Sequence, residues 1–287
     1  MERTKPTVPT FTSDALTFQV TEHGPKTGEP IVLLHGFPQD ATSWSATAAE
    51  LAGGGHRVLT PNLRGYSPGA CPRDRSSYGV NRLVGDVLAL LDAQALEQAH
   101  IVGHDWGGSL VWTMRKTHPH RMTSATIVST PHPSALAWAC THTGQLLRSW
   151  YMAAIALPVL PEFVVRHHLA QLIAATGLPD ERASYYQSLM NQKGIATGAL
   201  NWYRQMLVEQ IRPPARPIPP VGAHTPATQY IWGNEDLFFN RAVAERTTKV
   251  VSDLSFTELD GGHWLPETHP TELAETIRSH VIVSAHH

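Results

Sequence analysis

The chain predicts an α/β fold: a mostly parallel sheet with helices on both faces, interrupted by a helical insertion. Three observations carry this expectation. Short apolar runs alternate with helical stretches through residues 1–130, the pattern of strand–helix–strand crossovers. From about Pro131 the runs stop, and helical patterns separated by Pro and Gly continue to residue 222. Strand patterns then resume and a closing helix follows. The division is therefore 1–130 for the first part of the core, 131–222 for a helical cap, and 223–287 for the rest of the core.

Each element has its own warrant. "IVLLH" (31–35), "RVLTP" (57–61), "HIVGH" (100–104) and "SATIVS" (124–129) are short, apolar and β-branched, as strands buried on both faces must be. Between them, Val80 to Leu96 places Val80, Leu83, Val84, Val87, Leu88 and Leu91 at helical spacing. Another helix starts near Trp106 and ends before Pro119, which lacks the N–H to continue it. "RPPARPIPPVGAHTP" (212–226) reads as a stiff extended crossing. "TQYIW" (228–232) and "LSFTEL" (254–259) resume the sheet, and a helix from about Thr271 closes the chain.

Bulk composition narrows the function. With 42% hydrophobic and 16% charged residues the chain is of globular type, and its net charge of −2 gives no reason to expect nucleic acid or an anionic surface as partner. No run approaches the roughly 18 apolar residues of a membrane span, and the first 20 residues lack the apolar centre of a signal peptide. A cytoplasmic protein with no membrane insertion is expected, with monomer and homodimer both open. Two cysteines, Cys71 and Cys140, cannot build a disulfide framework. The 17 histidines include no His-Glu-x-x-His pair and the chain no Cys-x-x-Cys, so neither metal nor cofactor is expected.

The chemistry gathers around "IVGHDWGGSL" (101–110). A sharp turn from strand to helix with flanking glycines commonly presents a nucleophile at its apex, and here the apex is Asp105. Backbone N–H groups and the helix dipole favour a negative charge there, although an Asp at a helix start is also an ordinary N-cap. The later strands supply companions. "IWGNEDLFF" (231–239) offers Asp236, favoured by position over Glu235 and over Asp260. "LDGGHWLPETHP" (259–270) offers His263 beside two glycines. Nucleophile, acid and histidine stand in the chain order of α/β-hydrolases, each after a different strand. A carboxylate needs no base to attack a saturated carbon, so His263 is free to activate water against the ester that results. The backbone N–H groups of Phe37, in "HGFP" (35–38), and of Trp106 are candidate oxyanion donors.

With these segments in place, the sequence resembles an epoxide hydrolase of the α/β-hydrolase superfamily. His35-Gly36-Phe37-Pro38, "LRGYS" (63–67), the 103–108 turn, Asp236 and His263 fall on the motif positions. The resemblance implies two cap tyrosines that hold and protonate the epoxide oxygen. "SWYMAAIALP" (149–158) points to Tyr151 and "NWYRQM" (201–206) to Tyr203; Ala156 departs from the glutamine frequent in the family. Trp106, Trp150, Trp202 and Trp264, with Phe37, are expected to line the pocket of a small apolar epoxide. Haloalkane and haloacid dehalogenases share the aspartate mechanism. However, Phe37 replaces their second halide donor, and no arginine directly follows Asp105. A non-catalytic binding protein on the same fold is the remaining alternative.

Overall fold

The computed structural model describes residues 9–155, 157, 159–211 and 225–284. Eight strands form one sheet: β1 (Thr10–Ser13), β2 (Leu16–His23), β3 (Pro30–Leu34), β4 (Arg57–Pro61), β5 (Ala99–His104), β6 (Met122–Val128), β7 (Ala227–Gly233) and β8 (Leu254–Leu259). Their order is β1-β2-β4-β3-β5-β6-β7-β8; β1 and β2 run antiparallel and all pairs from β4 to β8 are parallel. The chain reverses its direction of travel across the sheet between β3 and β5, which opens a crevice at their carboxyl ends.

Alternation along the central strands explains why helices cover both faces. Ile31, Leu33, Val58, Val102, Val128 and Ile231 pack on one side with α1 (Ser45–Gly53) and, from the end of the chain, a helix at Pro270–Ser284. Val32, Leu34, Leu59, Ile101, Ile127 and Trp232 turn to the other side. There they meet α2 (Val80–Ala93) and α3 (Trp106–Thr117). Helix α2 stops short of the expected Leu96 because the backbone at Ala95 turns left-handed, with φ +53°. The β1–β2 hairpin was not among the expected strands, although Leu16, Phe18 and Val20 alternate with polar residues and bury Phe18 and Val20.

Between β6 and β7 the described residues form α4 (Pro133–His142), α5 (Gln145–Arg148), α6 (Trp150–Ile155), α7 (Leu160–His167), α8 (Leu169–Ala174), α9 (Asp180–Met190) and α10 (Ile195–Ile211). Their apolar interior, including Val165, Leu169, Leu189 and Leu200, is continuous with the α2/α3 side of the sheet. After β7 come α11 (Arg241–Val250), α12 (Leu265–Thr268) and the Pro270–Ser284 helix, α13. The expected proline-rich crossing lies outside the described residues except for Thr225 and Pro226, as do Ala156 and the 222/223 boundary. Among the described residues no helix is long and apolar enough to cross a membrane.

A close backbone approach of α10 helps to seat the insertion on the core. Gly65, in the loop after β4, has φ +92°, and a Cβ built on it would lie 2.8 Å from the Gly198 backbone of α10. A Cβ on Gly198 would in turn lie 2.7 Å from the Cα of Gly65. The Trp202 indole N–H donates to the Arg64 carbonyl at 2.8 Å. Buried Arg64 is itself fixed by a two-pronged pair with Asp86 at 2.7 and 2.8 Å.

Candidate active site

Asp105 follows β5 at the mouth of the crevice, with φ +51° and ψ −117°, a left-handed conformation that a residue with a Cβ adopts only under constraint. It stands at the N-cap position of α3, but its side chain makes no capping bond to that helix. Instead Oδ1 accepts the Phe37 N–H at 2.8 Å, and the Trp106 N–H also reaches the carboxylate. The approach needs a bare backbone beside it: a Cβ on Gly36 would stand 2.4 Å from the Asp105 Cβ and Oδ1. Burial raises the Asp105 carboxyl above the usual carboxylate range; the His263 charge and the two N–H groups pull the other way without cancelling it.

His263 lies across from it, buried, with Nε2 3.9 Å from Asp105 Oδ2, beyond a direct hydrogen bond. Its Nδ1 donates to Asp236 Oδ2 at 2.9 Å. Asp236 is pinned in turn, because its Oδ1 accepts the N–H groups of Phe238 and Phe239 at 2.7 and 3.0 Å. Glu235 and Asp260 are exposed, and Asp260 meets Asn234 instead. The loops after β7 and β8 are joined by Glu235 N–H to Gly261 O at 2.9 Å, which brings acid and histidine together. Burial alone would lower the His263 ring, but the Asp236 charge and hydrogen bond, with the Asp105 charge, raise it above its usual value.

Two cavities, of about 660 and 560 Å³, share three walls: Asp105, Tyr151 and Tyr203. Trp106 and Trp202 line the larger, whereas Phe37, Trp150, Trp264 and His263 line the smaller. Tyr203 is buried on α10, edge-on to Phe37 and Trp106 with ring centres 5.3 and 4.9 Å away. Tyr151, on α6, is half-buried and meets Phe238 edge-on at 5.7 Å. Burial raises both phenols, and the Asp105 charge adds to it, so both keep their protons in the alkaline range. Trp150 is 68% exposed and stands at the rim. Arg115 is tied to Thr228 and Asp253 and does not line either cavity. His167 and His168 are exposed.

Sequence reasoning missed a set of polar residues behind the histidine: Gln39, Glu267 and Arg182, joined to one another and to His104. No local pattern marks them, since they come from four separate segments. Among the described residues no group of three His, Cys, Asp or Glu side chains is placed to hold a metal ion.

Comparison with known proteins agrees with this architecture. A family model described as alpha/beta hydrolase fold matches residues 29–270. The chain is 30% identical over 278 residues to the AB hydrolase superfamily protein YfhM of Bacillus subtilis (strain 168), covering 92% of this chain and 94% of that protein. It is 29% identical over 279 residues to Epoxide hydrolase 3 of Mus musculus, covering 93% and 74%. The crystal structure of epoxide hydrolase VrEH1 from Vigna radiata has the same fold, with a TM-score of 0.77 at 22% identity, covering 96% of this chain and 98% of that one. The chain belongs to the alpha/beta hydrolase fold family.

Proposed function

We propose that this protein hydrolyses epoxides to vicinal diols through a covalent ester on Asp105, and that the helical insertion serves as the lid of the site. The observation that carries the reading is the meeting of a carboxylate and two protonated phenols as the common walls of two largely apolar cavities. Asp105 Oδ2 attacks one epoxide carbon, the carbon–oxygen bond breaks, and the departing oxygen takes a proton from Tyr151 or Tyr203. The product is a hydroxyalkyl ester whose carbonyl oxygen, Oδ1, already accepts the Phe37 N–H, with the Trp106 N–H also turned to the carboxyl group. His263, oriented by Asp236, takes a proton from water as the water attacks Cγ. The tetrahedral intermediate then releases the diol, whose departing oxygen receives that proton. The carboxyl group formed at Asp105 gives up the second proton of the water, which returns to the tyrosinate, and carboxylate and phenol are both restored. Relatives named as epoxide hydrolases support the substrate class. No metal or cofactor enters any step.

A single turnover in heavy-oxygen water tests both stages. The label is expected in the Asp105 carboxylate and not in the first equivalent of diol; label confined to the diol refutes the ester. In the Tyr151→Phe, Tyr203→Phe double variant, formation of the ester is expected to slow by about 10²-fold or more.

A further inference from the structure

Behind His263 runs a buried line of hydrogen bonds whose ends can only accept. The His263 carbonyl is one end, 2.9 Å from His104 Nε2. The His104 Nδ1 lies 2.8 Å from Gln39 Oε1, and Gln39 Nε2 lies 2.9 Å from Glu267 Oε1, the other end. His104 and Gln39 are wholly buried, and the Glu267 side chain is 3% exposed. Glu267 also accepts from Tyr186 and Arg182 of α9, so the line runs from the insertion to the backbone of His263.

Counting protons along it is decisive. A neutral imidazole supplies one ring N–H, and an amide presents N–H groups at one end and oxygen at the other. If Gln39 donates to Glu267, both ring nitrogens of His104 must donate, one to the amide oxygen and one to the carbonyl. If the amide is turned round, His104 is satisfied, but the Gln39 oxygen then faces a Glu267 oxygen. Either way one contact sets lone pair against lone pair unless the line holds one further proton, and an unmet contact this deep is costly.

We infer that His104, Gln39 and Glu267 are positioning residues, and that their line couples the seating of α9 to the placing of His263, so that ester hydrolysis depends on it and alkylation does not. The inference rests on the ester mechanism proposed above for its kinetic readout only. No side chain of the line touches the Asp105 carboxylate, which accepts from the N–H groups of Phe37 and Trp106, although His104 adjoins Asp105 in the chain. That is why the two steps are expected to separate when only the Gln39 and Glu267 side chains are changed.

The test follows single-turnover alkylation and ester hydrolysis in Gln39→Met, Glu267→Met and Glu267→Gln. The two methionine variants are expected to slow hydrolysis by about tenfold or more while alkylation stays within about threefold, since small misplacement of a base is penalised steeply. Glu267→Gln is expected to keep hydrolysis within about threefold, because its amide supplies the donor that the line lacks and its oxygen still accepts from Arg182. Parallel loss of both steps in Gln39→Met, unchanged hydrolysis in it, or a Glu267→Gln variant as slow as Glu267→Met overturns the inference. If the methionine variants do not fold, Gln39→Ala and Glu267→Ala take their place in the same comparison. Imidazole nitrogen-15 spectra of the unreacted protein give a readout free of turnover: the His263 signals are expected to move in Gln39→Met, and coincident spectra overturn the line. Wild-type protein that releases no diol would instead sink the proposed reaction and leave this readout standing.

Discussion

At Asp105 and His263 charge and burial act against each other, and the balance changes during the proposed reaction. In the free enzyme the negative charges of Asp236 and Asp105 outweigh burial and raise the imidazole. Esterification removes the Asp105 charge, so the ring is then held up by Asp236 alone and its pKa falls. General-base action needs the neutral ring, so hydrolysis is lost as the pH drops through that value. The acid limb for decay of preformed ester, followed by pH-jump single turnover, is therefore expected below the His263 titration of the free enzyme followed by NMR. A limb at or above that titration contradicts the assignment. Because burial raises both phenols, neither is expected to impose an alkaline limb near the ordinary tyrosine value.

Among the elements, α10 is the one whose placement decides whether Tyr203 faces Asp105. The contact between Gly65 and Gly198 leaves no room for a side chain on either, and the Trp202–Arg64 bond fixes the rotation of the helix. Gly198→Val must push α10 from the core. A loss of about 1–3 kcal/mol of stability is expected from such overpacking, with alkylation slowed more than ester decay because Tyr203 moves and His263 does not. Urea unfolding and single-turnover rates check the pair; unchanged stability would mean that the two backbones do not meet. This contact also marks the limit of what the sequence discloses. β3 to β7 were legible because burial on both faces forces continuous apolar runs, and Asp105 and Asp236 because each follows such a run; β8, which precedes His263, is half-exposed and was legible from its own short strand pattern. The β1–β2 hairpin hides behind half-buried alternation, and α1 and α11 each bury only three residues fully. The Gly65–Gly198 approach and the Gln39–Glu267 line join segments distant in sequence, and nothing local to either partner announces the other.

For the molecule as a whole, the insertion and the sheet enclose two cavities that meet at the proposed reacting groups. Epoxides bearing an apolar arm on each carbon can place one arm in each. Each methylene added to either arm is expected to raise kcat/KM by up to about fourfold, the value of one buried CH₂, until that cavity is full. A gain confined to one arm would show that only one cavity admits substrate. The two spaces differ in volume and lining, so on the proposed reaction mirror-image forms of an unsymmetrical epoxide are expected to settle with opposite carbons toward Oδ2. Attack inverts only the carbon it meets. A racemic mixture would thus converge on a single diol, with the handedness of the product set by the shape of the enclosure and not by the handedness of what enters it.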